Sequence, residues 1–166
     1  MPRISIEANG SGRLWAGDPP AWDRLCTAEE CPMCAETPHP EWTLAETDDC
    51  RVSAWPEAVI PGYACVVSKR HVVEPFDLPV PVQAAFFTDA MAVAKALSEL
   101  LTPVKMNYEI HGNTVPHLHM HLFPRTADDV YVGFPVHCRA HFERTPAQLA
   151  RMRTAVRAGL GARLLA

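Results

Sequence analysis

The spacing of apolar residues along this chain changes period several times, and the changes mark its elements. Thr43–Thr47 and Arg51–Trp55 carry strand-like patterns, and the denser run Tyr63–Ser68 opens at the turn pair Pro61-Gly62. From Pro79 to Leu101 the period lengthens. Val82, Ala85, Phe86, Ala90, Val93, Ala94, Leu97 and Leu101 recur at three- and four-residue spacing, which predicts a long helix with one apolar face, stopped by Pro103. Lys105–Ile110 and Leu118–Phe123 read as two further strands, joined through a turn region at Gly112-Asn113. A second helix begins near Pro146, with Thr145 as N-cap and proline in its first position. Strands, helix, strands and helix in that order predict a mixed α+β fold around an antiparallel sheet.

Residues 1–30 read differently. They are rich in Gly, Pro and Asp, with turn signals at Asn9-Gly10 and Asp18-Pro19-Pro20, and suggest an irregular arm with a short helix around Trp22–Cys26. The 166 residues suit one domain with a full core, 48% of them hydrophobic and 20% charged. A formal net charge of −4 argues against a nucleic-acid polymer or an anionic membrane as partner, while leaving room for a small phosphate ligand. No apolar run has the length of a membrane span, and Met1–Glu7 contains no signal-peptide core, so a cytoplasmic location is expected. Under that expectation the six cysteines are thiols rather than a disulfide framework.

The chemistry concentrates in His117-Leu118-His119-Met120-His121-Leu122-Phe123. On a strand, alternate side chains share a face, so the three imidazoles line one side while Leu118, Met120 and Leu122 point into the core. A neutral imidazole is a nucleophile near neutral pH, and a second one can act as acid or hydrogen-bond donor. A His-x-His strand can equally hold a catalytic zinc, and spacing alone does not separate nucleophile from ligand. Two rival readings therefore stand beside covalent catalysis. One is a zinc hydrolase with His117 and His119 as ligands; the other is a nucleotide-binding protein without turnover.

The segment Asn107–Arg125, with its alternating histidines each followed by an apolar residue, resembles the signature of the histidine-triad (HIT) family, and the likeness extends over about residues 31–126. The resemblance implies a HIT-like α+β domain with about five antiparallel strands, a long helix and a C-terminal helix. The extension 127–166 shows no family pattern and is expected to pack on that same domain. It implies a nucleotide hydrolase or nucleotidyl transferase acting at an α-phosphate, with His119 attacking phosphorus to form a nucleotidyl-histidine intermediate. His117 and His121 complete the catalytic set, His121 holding phosphate oxygens. The preceding turn supplies phosphate contacts, here Gly112, Asn113 and Thr114, with Asn107 nearby. A homodimer and a small-molecule nucleotide substrate are expected. This chain departs from the family pattern in carrying Asn113 where many members have glutamine and Tyr63 where many have histidine.

Cys31-Pro32-Met33-Cys34 offers two thiolates from one turn, half of a tetrahedral zinc site. Nothing upstream reads as the strand that a redox pair would follow. The resemblance implies the remaining ligands of one structural zinc per chain, His71 and His117. On spacing alone His39 competes for the third place. His111, His137 and His141 are expected at the surface or in local hydrogen bonds, with His137–Cys138–His141 as a minor metal alternative. Lys69, Arg70 and Arg125 are candidate phosphate helpers, for which solvated surface charge is the competing reading.

Overall fold

A computed structural model describes residues 19–35, 40–136 and 141–165. After a short helix α1 (Pro19–Leu25) come β1 (Thr43–Glu46), β2 (Cys50–Ser53), β3 (Glu57–Ala58) and β4 (Ala64–Ser68). The long helix α2 (Val80–Leu101) follows, then β5 (Lys105–Ile110), β6 (His119–Arg125), β7 (Phe142–Glu143) and helix α3 (Pro146–Leu160). Five strands form one antiparallel sheet in the order β1-β2-β4-β6-β5, and β3 pairs with β7 in a separate two-stranded ribbon. This is the expected α+β architecture, apart from the ribbon. Two residues per strand are too few to leave a periodic signal, so the sequence did not reveal it.

The apolar stripe of α2 does what its spacing predicts. Phe86, Ala90, Val93, Ala94 and Leu97 pack on Val52, Ala64, Val66, Met120 and Leu122 of the sheet, and α3 adds Leu149, Met152, Val156 and Leu160 to this core. Helix α3 starts as a capping box: Thr145 Oγ1 accepts from the Gln148 amide, Gln148 Oε1 accepts from the Thr145 amide, and Pro146 occupies the first turn. The two helices approach closely at Gly159, where an added Cβ would lie 2.7 Å from the Ala96 methyl. At the other end of the sheet, Gly62 turns the chain into β4 with φ +78, a conformation that a side chain disfavours.

The opposite face of the sheet is also covered. Tyr63, Cys65, Val67 and Phe123 form a second core with Ala58, Ile60 and Tyr131, against which Met33, Trp55, Val59 and Val136 pack. The side of the strand opposite the main core is therefore not open to solvent, and His117 and His119 are only 2% and 4% exposed. Arg125 explains part of the cover. Its guanidinium donates to both Asp129 oxygens (2.7 and 2.9 Å) and to the carbonyls of Tyr131 and Phe134 (2.7 and 3.0 Å), which ties residues 129–134 back onto β6. Arg125 is therefore committed to the fold rather than left available for phosphate, and Lys69 is paired with Glu46 at 2.7 Å. Among the described residues, no helix is long and apolar enough to cross a membrane.

Candidate active site and metal centre

Strand β6 carries His119 and His121 on the second-core face, with Met120 and Leu122 turned toward the helices, as alternation requires. His117 departs from the expectation. It precedes the strand, and its ring turns away from the other two, edge-on to His71 with centroids 5.1 Å apart. Leu118 anchors this bend through backbone bonds in both directions: its amide donates to Val72 O (2.7 Å), and its carbonyl accepts from the Ser68 amide (3.0 Å).

His119 Nδ1 lies 2.6 Å from the carbonyl of His117. A carbonyl only accepts, so Nδ1 carries the proton and Nε2 presents a lone pair. Burial pushes the His119 pKa below its ordinary value, opposed by that backbone bond, and the positive charge that His111 can carry lowers it further. The ring of His121 stands edge-on to His119 with centroids 4.8 Å apart. It stacks with Phe123, and its Nδ1 shares a 2.8 Å hydrogen bond with the hydroxyl of Tyr63. Tyr63 in turn stacks on Phe123 and Trp55, so an aromatic set fixes the plane of His121. Burial first, then His119 and His111, push His121 down to about 3. Both site imidazoles are thus neutral near pH 7.

The turn ahead of β6 borders a cavity of about 510 Å³ lined by Trp22, Asp23, Val73, Glu74, Ile110, His111, Gly112 and Asn113. Asn113 and Thr114 are exposed, and Asn107 on β5 sits opposite Phe123, on the histidine face. A Cβ added at Gly112 would meet no atom within 4 Å, so the fold itself does not demand glycine there. His111 is bonded to Glu109 through Nε2 (2.9 Å), its ring centroid 5.7 Å from that of His121. That pair was not foreseen as part of the site, although strand alternation places Glu109 opposite His121 in the ladder.

The structure brings Cys31, Cys34, His71 and His117 together, with one donor atom from each lying within 4.8 Å of all the others. Cys31 Sγ is 3.3 Å from His117 Nδ1, and Cys34 Sγ is 3.2 and 3.4 Å from Nδ1 of His71 and His117. A tetrahedron with metal–sulfur and metal–nitrogen bonds of about 2.3 and 2.0 Å has sulfur–nitrogen edges of roughly 3.5 Å, so the set fits zinc. The outer nitrogens fit as well. His71 Nε2 donates to Cys26 O (2.9 Å) and His117 Nε2 to Ser68 O (2.7 Å), which leaves both Nδ1 lone pairs aimed at the thiols. Burial and the Cys31 thiol push Cys34 up to about 12, so a bound cation would have to displace its proton. His119 lies outside this cluster. His39, the competing ligand, and the pair His137 and Cys138 lie outside the described residues, while His141 faces Glu57 at 3.5 Å. The backbone carbonyls that fix both ring tautomers have no sequence signal at all.

Two neutral imidazoles on a β-strand, beside a partly buried Cys2His2 cluster, are the local character of the site, and comparison with known proteins gives its class. The model of the HIT domain matches residues 36–128, more than half of the chain, and the chain belongs to the HIT domain family. It is similar to a solved histidine triad protein from Bradyrhizobium japonicum (25% identity, TM-score 0.67), covering 76% of this chain and 97% of that one. A histidine triad protein from Marinobacter aquaeolei VT8 shares 26% identity at TM-score 0.63, over 71% of this chain and 87% of that one. A Zn-bound histidine triad family protein from Mycobacterium smegmatis has the same fold at 21% identity and TM-score 0.61, over 80% and 96% of the two chains. No curated protein matches.

Proposed function

We propose that this protein is a nucleotide hydrolase or nucleotidyl transferase that works at the α-phosphate of a nucleotide conjugate through a covalent intermediate on His119. The observation that carries the reading is the bond from His119 Nδ1–H to the His117 carbonyl, which leaves Nε2 unprotonated in a buried site. The Nε2 lone pair attacks phosphorus, a phosphorus–nitrogen bond forms, and the bond to the leaving group breaks with its electron pair departing on that group. Water then attacks phosphorus, the bond to His119 breaks, and a nucleoside monophosphate is released; another acceptor in place of water gives transfer. With the Tyr63 hydroxyl as donor to its Nδ1, His121 keeps a proton on Nε2 to offer a phosphate oxygen. Gly112, Asn113 and Thr114 contribute the turn that cradles phosphate, and Asn107 lies on the same face.

Zinc enters this reading as a structural ion held by Cys31, Cys34, His71 and His117. A set of two thiolates and two imidazoles closes a tetrahedron and leaves no position for an activated water. Its contribution is rigidity, because His117 ties the ion to the backbone carbonyl that orients His119. The exposed edge of β5, with Val104, Tyr108 and Ile110 solvent-accessible, is the surface on which two copies form a homodimer. A turnover screen of dinucleoside polyphosphates, phosphoramidates and sugar nucleotides, with mass spectrometry of acid-quenched protein, tests the chemistry. We expect a nucleotidyl adduct on His119, and His119→Ala without turnover but binding nucleotide within about tenfold of the parent. Near-parental turnover by His119→Ala at saturation would discard the mechanism.

A further inference from the structure

The attack on phosphorus leaves one demand unmet by the groups already placed. An amine or alcohol departs from phosphorus only if it receives a proton as its bond breaks. His119 has no proton to give: Nδ1–H is held by the His117 carbonyl, and Nε2 is the attacking atom. The Nε2 proton of His121 is committed to a phosphate oxygen, and its Nδ1 is engaged with Tyr63. Of the three imidazoles grouped here, His111 alone is well exposed, with 46% of its side chain accessible to solvent.

We propose that His111, oriented by Glu109, is the general acid that protonates the leaving group in the first step and the general base that accepts a proton from water in the second. The proposal rests on the reading of His119 as nucleophile. Three observations carry it. His111 follows β5 directly and lines the cavity together with Gly112 and Asn113, so it stands beside the turn that approaches phosphate. Its ring lies 5.7 Å from that of His121, which in turn lies 4.8 Å from His119, one ring away from the nucleophile. The 2.9 Å contact of its Nε2 with a carboxylate, an acceptor, puts a proton on Nε2 and leaves Nδ1 as the free nitrogen. Glu109 then plays the part of the carboxylate that orients a catalytic histidine, and the β5–β6 ladder fixes it directly across from His121.

The protons balance over the cycle. In the first half Nδ1–H of the imidazolium passes its proton to the departing nitrogen or oxygen as the bond to phosphorus breaks. In the second half neutral Nδ1 takes a proton from the attacking water as the bond between phosphorus and His119 breaks, which restores the imidazolium.

The test compares two adenosine 5′-phosphate conjugates, an alkylamine phosphoramidate and a 4-nitrophenyl ester. Nitrophenolate departs without protonation, so its release bypasses the acid. We expect His111→Gln to lose on the order of a hundredfold or more in the rate constant for formation of the covalent intermediate from the phosphoramidate, measured in single turnovers. Formation from the nitrophenyl ester should stay within about threefold of the parent, which also certifies that the variant is folded. Glu109→Gln should show the same selectivity with a smaller loss. Equal losses on both conjugates would reduce His111 to a binding or structural group, and no loss on either would remove it from the reaction. If the parent forms no adduct from either conjugate, the His119 reading fails and the role of His111 fails with it.

Discussion

Each imidazole of the triad does a different job because each meets a different partner. His119 meets a carbonyl, His121 a phenol, and His117 two thiols, and these partners set which nitrogen is available. Burial makes His121 the most acid-averse of them, with a pKa pushed down to about 3 from an ordinary value of about 6.5. The sign of the linkage follows. The unfolded chain takes up a proton at this residue as pH falls through about 6.5, while the folded state refuses it until near 3. The stability is fully present above about 6.5 and is lost progressively toward the lower value, by at most about 1.4 kcal/mol per pH unit for this one group. His121→Asn should therefore flatten the fall in urea midpoint between pH 6.5 and 4.5 relative to the parent, with metal content followed in both. An unchanged slope would mean that the ring is free to protonate in the fold.

Among the elements, β6 organises both the site and its cover. Its first residue is His119, the proposed nucleophile, and its last, Arg125, holds the segment that folds over the second core. Sequence reading left Arg125 between surface charge and phosphate contact, because nothing local marks Asp129 and two carbonyls as its targets. Both side chains of the Arg125–Asp129 pair are largely enclosed, so removing one partner strands the other. Arg125→Ala should cost roughly 3 kcal/mol, at the low end for breaking a buried pair, and should expose residues 129–134 to proteolysis. Thermal melts combined with limited proteolysis check this, and an unaltered cleavage pattern would mean that the second core holds the segment without the clasp.

At the scale of the whole molecule, two tests bear on what the chain binds. With a structural zinc, Cys34→Ser should lower metal content and melting temperature together, the loss of activity following from a looser His117. His119→Ala should retain zinc, and metal analysis after chelator-free purification decides the matter. Loss of zinc from His119→Ala would instead favour a metallohydrolase. The second test concerns assembly. Among the described residues strand β5 pairs only with β6, and its other edge is flanked by exposed Tyr108 and Ile110. Light scattering at micromolar concentration should report twice the 18.3 kDa chain mass, and Ile110→Lys should shift the protein toward monomer. A parent that scatters as a single chain would reject the dimer.

The sequence by itself determined what local periodicity can encode. Lys105–Ile110 was legible to the residue, α2 and α3 to within one residue at their starts, and the alternation of β6 from His119 to Leu122, because side-chain direction repeats every two or 3.6 residues. The likeness of the histidine run to a known family supplied the chemistry and the ligand set. Tertiary structure alone decided where the pattern stops: His117 leaves the strand for a cluster whose Cys34 lies 83 residues away. Only the fold covers the histidine face, commits Arg125 to Asp129 and the carbonyls beyond it, and pairs Glu109 with His111 beside His121. The reason is physical. Periodicity states which way a side chain points, whereas what it meets there depends on segments brought in by the burial of the two cores.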